Sequence, residues 1–267
     1  MRSLLALVSL ISTFVFSNVA ANNDSVVMGI FPYASTSKLI THHKNIKKHI
    51  EKNSDHNLTM VTAKGFPAYY KNLLSNKYDI IYSPPHIARH LENKYNYQRV
   101  VMTSHNIRGV YLVRNESNFK TIKDLENKKI SIAPEKTILH QIALKQLKDV
   151  GLINHQNLTI TPAKTHSNAM FNVVNGDTEA AVTGIKLWKK LHPKHKKQLR
   201  MLGMTDKTTG FIIMARPGLK KGLIKDLIKL FLSFNQSIAG KNYLFKGFKT
   251  ITDKEMKSLD PYASVFK

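Results

Sequence analysis

The 267-residue chain contains no cysteine. Disulfides, thiolate catalysis, thiolate metal ligation and a lipid-bearing cysteine are therefore excluded together. Acidic residues are scarce, with 17 Asp and Glu against 41 Lys and Arg, which leaves a formal net charge of +24. Beyond the first 21 residues no apolar run approaches the ~18 residues that a membrane-spanning helix needs. There is no G-x-S-x-G elbow, no P-loop and no G-x-G-x-x-G turn. No solenoid repeat or low-complexity tract is present. Enzymatic readings fare poorly on these absences, because nothing selects a nucleophile and a base within reach of each other. The basic residues are spread along the chain without an arginine-rich arm or aromatic-interleaved basic motif, so nucleic acid is not an expected partner. A solvated surface, an anionic membrane surface or an anionic small ligand remain as readings of the charge.

The amino terminus has the layout of a secretory signal peptide: Met1-Arg2, an apolar core from Leu4 to Phe16, and the small-residue site Val19-Ala20-Ala21. Cleavage is expected after Ala21, and removal of Arg2 lowers the charge to +23. Export without disulfides or a lipid anchor fits a bacterial periplasm, and stability must then come from a core that a chain of this size can bury.

Strand-like and helical patterns alternate over the remaining length. Strands are predicted at Ser25–Phe31, Leu58–Ala63, Asp79–Ser83, Arg99–Thr103, Val110–Val113, Lys129–Ala133, Leu158–Pro162, Ala180–Thr183, Gln198–Leu202 and Gly210–Ala215. Helices are predicted at Ser35–Lys52, Ala68–Asn76, Lys136–Val150, Asn168–Asn175, Ile185–Leu191 and Leu219–Gly240. Such alternation means parallel sheets covered on both faces. About 245 mature residues is natural for two lobes. The polar segment after Val113 marks departure into a second lobe, and Thr205–Gly210 marks the return. The expected division is 22–115 for the first part of lobe 1, 116–205 for lobe 2 and 206–267 for the return to lobe 1. Two crossovers make a hinge with a cleft between the lobes.

The segment from Tyr78 to His90 is the most telling: a buried strand ends at Tyr82-Ser83-Pro84-Pro85 and opens a helix. A strand end followed by a helix start is where α/β proteins present a ligand site. Tyr82, Ser83 and His86 are therefore candidate contacts. Tyr33 and Tyr69 fall at comparable sheet-edge positions, where each either lines a cleft or packs between helix and sheet. His86 and His90 share a helical spacing, but no carboxylate companion makes them a metal site. In Lys38–Lys52, Leu39, Ile40, Ile46 and Ile50 define the buried face, leaving His42, His43 and His49 on a solvated basic face.

Gly29–Tyr33, Tyr78–Arg89, Thr121–Ile130, His166–Ala169 and Val173–Val182 together resemble the phosphate/phosphite/phosphonate-binding periplasmic proteins of ABC transporters. The resemblance implies a type II periplasmic binding protein: two α/β lobes with mainly parallel sheets that close on an oxyanion held by hydroxyls and amides at a helix start. The matching helix start is Ala133–His140. Where family members carry a serine-threonine-serine triplet, this chain has Lys136, Thr137 and Ile138. Thr137 keeps a hydroxyl, Lys136 would provide charge, and Ile138 can do neither. The carboxylates that hold the ammonium of aminoalkylphosphonates are replaced by Thr183, Gly184 and Lys186, so such a ligand is disfavoured.

The expected ligand contacts are Tyr33, Tyr69, Tyr82, Ser83 and His86 from the first lobe, and Lys136, Thr137, His166, Ser167 and Thr183 from the second. The expectation is a monomeric, non-enzymatic capture protein without cofactor or metal, taking a small anionic solute and meeting an ABC permease. The competing expectation keeps the fold but serves a membrane sensor kinase or surface partner, with a non-phosphorus ligand.

Overall fold

The computed structural model describes residues 25–264; the expected signal peptide lies outside them. The chain opens with β1 (Ser25–Ile30), α1 (Thr36–Lys52), β2 (Asn57–Val61), α2 (Phe66–Leu74), β3 (Ile80–Ser83), α3 (Pro85–Tyr95) and β4 (Gln98–Thr103). It then builds β5 (Gly109–Arg114), a 3-10 turn (Ile122–Leu125), β6 (Lys129–Ile132), α4 (Ile138–Asp149), β7 (Thr159–Pro162), α5 (His166–Val174), β8 (Ala180–Gly184), α6 (Ile185–Lys190), α7 (Pro193–Lys196) and β9 (Leu199–Met204). It closes with β10 (Ile212–Ala215), α8 (Lys221–Phe234), α9 (Ile238–Lys241), β11 (Phe248–Lys249), α10 (Asp253–Lys257) and α11 (Asp260–Ala263).

Two mixed sheets result, in the orders β11-β4-β10-β3-β1-β2 and β7-β6-β8-β5-β9. The βα units pair in parallel, β1 with β2 and β3, and β6 with β7 and β8. The strands that bring the chain across or back, β5 and β10, pair antiparallel with both of their neighbours. A strand returning directly from the other lobe needs no covering helix, so it is free to run against its neighbours.

Alternation along each strand distributes the core. Val26, Met28 and Ile30 of β1 face Leu39, Ile46 and Ile50 of α1 and Leu227 and Phe231 of α8, while Ile81, Met102 and Met214 face Tyr69, Leu73, Ile87 and Leu91 on the other side. In the second lobe Tyr111, Val113, Ile130 and Val182 pack on Ala143 and Leu147 of α4, and Val110, Leu112 and Ala181 on Met170, Val173 and Trp188. Each large apolar side chain so buried contributes roughly 1.5–3 kcal/mol.

Two departures from the sequence pattern have clear causes. Ile40 is 50% exposed, and His43, expected in solvent, is fully buried in its place. The stripe Leu39, His43, Ile46, Ile50 follows the helical period. Both nitrogens of His43 are satisfied, Nε2 by the Tyr33 hydroxyl and Nδ1 by that of Tyr243, each at 3.0 Å. The helix expected over Leu219–Gly240 breaks after Phe234, and Ser237 caps a new helix by accepting from the Gly240 amide. A Cβ at Gly240 would lie 1.9 Å from the Phe234 carbonyl oxygen, so the tight bend needs glycine.

Candidate functional site at the lobe junction

Strand direction alone places the site. β1, β2 and β3 are parallel, so α1, α2 and α3 all start at one edge of the first sheet. β10 runs antiparallel to both β3 and β4, which puts the end of β4 at that same edge. In the second sheet α4, α5 and α6 follow the parallel strands β6, β7 and β8, and Gly109 at the start of β5 pairs with Gly184 at the end of β8. The two crossing segments therefore join one carboxyl edge to the other. They pair with each other: Ile107 and Thr208 exchange backbone hydrogen bonds at 3.0 and 2.9 Å, and the Gly109 amide donates to Thr205 Oγ1 at 2.8 Å. Gly210 is essential to this hinge, since a Cβ there would meet Thr103 Oγ1 at 2.2 Å and two carbonyl oxygens at 2.6 Å.

The lobes touch on both sides of the junction. His86, fully buried at the start of α3, donates Nε2–H to the Lys136 carbonyl at 3.0 Å. Burial lowers its pKa to about 4, against the opposing effect of that hydrogen bond, so the ring is neutral. The Lys136 ammonium lies 5.3 Å from the centre of the Phe66 ring. On the other side Lys186 Nζ sits 5.1 Å from the centre of the Phe245 ring and donates to the Leu244 carbonyl at 3.4 Å.

The first lobe meets the junction with aromatic rings. Tyr33 stacks on Phe211 at 5.3 Å and its hydroxyl hydrogen-bonds His42 Nδ1 and His43 Nε2. Phe245 contacts Phe211 at 5.3 Å and His105 at 4.8 Å. Tyr82 lies behind Tyr33 and Phe211, fully buried against the His43 ring at 4.6 Å, with its hydroxyl turned towards Tyr243. Tyr69 is also fully buried; its hydroxyl donates to the Tyr82 carbonyl at 3.4 Å, close to Ser83. Burial raises the pKa of Tyr33, Tyr69 and Tyr82 alike, so all three hydroxyls stay protonated. His43 and His105 are held neutral by burial, their pKa values lowered to about 3 and about 4.

The second lobe meets it with hydroxyls and helix starts. Thr137 caps α4, accepting from the His140 amide at 3.3 Å, and His140 Nδ1 donates to the Ala133 carbonyl at 2.7 Å. Thr165 caps α5 through the Asn168 amide. Thr183 donates to the His166 carbonyl at 2.8 Å, tying the start of α5 to the end of β8. His166 Nδ1 is buried without a hydrogen-bond partner among the described residues, as is Thr209 Oγ1 in the returning crossover. No acidic residue occupies the first turn of α3, α4 or α5. No carboxylate of the first turn therefore competes with an anion for the positive end of these helix dipoles.

The residues singled out in the sequence therefore divide. Ser83, His86, Thr137, His166, Ser167 and Thr183 sit at strand ends or helix starts of the junction. Tyr33 is in the aromatic wall with its hydroxyl committed to histidines, and Tyr69 and Tyr82 form the layer behind. Lys136 directs its ammonium at Phe66 across the junction. Phe211, Tyr243 and Phe245 of the wall escaped sequence reading, because residues so far from Tyr33 in the chain share no period or motif with it. Among the described residues no group of three or more His, Asp or Glu gathers as a metal site, and no helix is long and apolar enough to cross a membrane.

Residues 28–256 match the family described as ABC transporter, phosphonate, periplasmic substrate-binding protein. No curated protein matches by sequence. Among solved structures, PhnD1 of Prochlorococcus marinus in complex with methylphosphonate has a TM-score of 0.75 at 16% identity, covering 92% of this chain and 99% of its own. A Xanthomonas citri protein bound to ATP has a TM-score of 0.75 at 13% identity, covering 91% and 98%. A binding-protein component of a phosphonate ABC transporter from Pseudomonas aeruginosa has 0.73 at 12% identity, covering 91% and 87%.

Proposed function

The chain belongs to the ABC-transporter periplasmic phosphonate substrate-binding family, and from that premise we propose that its lobes close on a phosphorus oxyanion held at the starts of α3, α4 and α5. The observation that carries the reading is the cross-lobe bond from His86 to the Lys136 carbonyl, which sets the start of α3 against the loop leading into α4. An oxyanion there takes hydrogen bonds from Ser83, Thr137 and Ser167 and from backbone amides, and charge-assisted bonds of this kind are worth about 1.5–3 kcal/mol each. His166 and Thr209 carry buried polar atoms that such a ligand would satisfy. Tyr33 gives the apolar wall, with Tyr69 and Tyr82 holding it from behind.

Capture works by population shift. A ligand that touches both lobes binds the closed form more tightly than the open one and draws the equilibrium to it. The family assignment makes a membrane permease the partner that accepts the closed form, and the periplasm the compartment. The mature chain starts at Asn22 and acts as a monomer without catalysis. Thr183, Gly184 and Lys186 offer an ammonium no carboxylate, which disfavours aminoalkylphosphonates.

Isothermal titration calorimetry of refolded, ligand-stripped protein against phosphate, phosphite, methylphosphonate and 2-aminoethylphosphonate tests the reading. Micromolar or tighter binding of one of the first three is expected, weakened on the order of tenfold or more by Thr137→Val. No binding across the panel overturns it.

A further inference from the structure

The second lobe carries a face whose charge is of one sign. α5, α6 and α7 cover the same side of its sheet, where Met170 and Val173 of α5 and Trp188 of α6 cluster with Val110, Leu112 and Leu199. Phe171 of α5 meets His195 of α7 edge-on at 5.2 Å, and the Lys196 ammonium lies 5.2 Å from the centre of the Trp188 ring. With Trp188 turned inward, Lys189, Lys190, Lys194, Lys196 and Lys197 are all exposed. They stand within nine consecutive residues, no Asp or Glu occurs between Glu179 and Asp206, and the neighbouring α5 adds no carboxylate.

In a chain with 41 basic and 17 acidic residues, exposed lysines alone mean little. Every other described helix with two or more lysines, however, holds a carboxylate that pairs with a lysine: Glu51 in α1, Asp149 in α4, Asp226 in α8 and Glu255 in α10. None of the five lysines of the α6–α7 segment has a salt bridge among the described residues. At the amino edge of the sheet Glu116 pairs with Arg114 and Glu179 accepts from the Lys129 amide, which leaves the exposed Asp177 in the turn before β8. A face of this kind draws negative charge from about a Debye length away, ~8 Å at physiological salt. Apart from Lys196 over Trp188, nothing fixes these ammoniums in an array. A fluid layer of anionic headgroups rearranges to meet such charges, whereas an acidic protein patch has to match a fixed pattern. The family also pairs this chain with a membrane transporter. We propose that the α6–α7 face binds an anionic phospholipid surface and holds the protein, second lobe towards the bilayer, at the membrane where its permease sits. The inference does not depend on which solute the cleft takes.

The test is cosedimentation of the mature protein with vesicles of phosphatidylcholine alone, or mixed in equal parts with phosphatidylglycerol, at low and high salt. A Lys189→Gln/Lys190→Gln/Lys194→Gln/Lys197→Gln variant is compared with a control of equal charge loss at α8, Lys220→Gln/Lys221→Gln/Lys225→Gln/Lys229→Gln, each with the circular dichroism of the native protein. The native protein should bind only the vesicles that contain phosphatidylglycerol, and high salt should release it. The α6–α7 variant should bind about tenfold more weakly or worse, and the α8 control within about twofold of native. Trp188 is the single tryptophan of the chain, so energy transfer from it to dansyl-labelled headgroups reports which face meets the bilayer and should accompany binding. Equal losses in the two variants mean diffuse attraction by the net charge and overturn the face, as does binding without energy transfer. No binding to phosphatidylglycerol vesicles overturns the lipid partner; if polyglutamate then binds the native protein and not the α6–α7 variant, the face belongs to an acidic protein surface instead.

Discussion

The two lobes present opposite chemistries to the junction they share. The first brings rings and neutral histidines: Tyr33, Phe211 and Phe245 at the junction, Tyr82 and His43 behind them. The second brings small hydroxyls at two capped helix starts, Thr137 and Thr165, and the tie from Thr183 to His166. Each lobe's own packing explains the difference. The first sheet's carboxyl edge is crossed by the return of the chain, so Phe211 after one crossover and Phe245 before β11 are laid against Tyr33. At the second sheet's carboxyl edge, which both crossing segments also reach, the starts of α4 and α5 are capped by threonine hydroxyls. An anion site then needs both lobes, one to exclude water and one to supply hydrogen-bond donors.

The contrast between the lobes depends most on the hinge that joins them. Gly210→Val should cost several kcal/mol by the overpacking scale of about 1–3 kcal/mol per inserted group, with backbone displacement added. Thermal denaturation should show a large fall in Tm or no folded protein, whereas the open space at Gly222 should tolerate Gly222→Ala without loss.

Acid should act on the first lobe before the second. Unfolded histidines take up protons below about 6.5, while the folded values are about 3 for His43 and about 4 for His86, His105 and His166. Between those values the unfolded chain binds more protons, so stability falls as pH falls, by about 1.4 kcal/mol per pH unit for each such histidine. Three of the four lie in the first lobe or its exit. Amide hydrogen exchange at pH 7 and pH 5 should show protection lost around α1 and α3 ahead of α4, and His43→Phe should flatten the dependence of Tm on pH.

A pair of hydroxyl deletions sharpens the contrast. Tyr33→Phe leaves a nitrogen of buried His43 without its partner and should cost about 1–3 kcal/mol of stability with little change in affinity. Thr137→Val should cost about 1 kcal/mol of stability as a lost cap but weaken ligand binding far more, and Thr137→Ser should restore both. The smallest effect belongs to Lys136. Its contact with Phe66 is worth about 0.5–1 kcal/mol, so Lys136→Met should shift the open–closed balance only a few-fold.

Much of this was legible in the sequence, and the exceptions are physical. Tyr78–Arg89 announced its strand, its turn and its helix because a buried run meets two prolines there. The breaks in 219–240 and the burial of His43 were hidden, since both depend on partners distant in the chain, the Phe234 carbonyl packed on Gly240 and the tyrosines that satisfy an imidazole. The carboxy-terminal α10 was not predicted, although Thr252 and Glu255 stand at capping-box spacing and form the box. Lys136, expected at the anion, turns its ammonium towards Phe66 of the facing lobe, a partner that no reading of α4 alone could foresee. Of the aromatic wall only Tyr33 was legible, because Phe211, Tyr243 and Phe245 come from segments distant from it in the chain.

Small-angle X-ray scattering of ligand-stripped protein shows whether the lobes close upon ligand. Saturating methylphosphonate should lower the radius of gyration, and His86→Ala, which removes the cross-lobe bond, should reduce that change. A ligand that calorimetry shows to bind while the scattering curve stays the same would contradict closure.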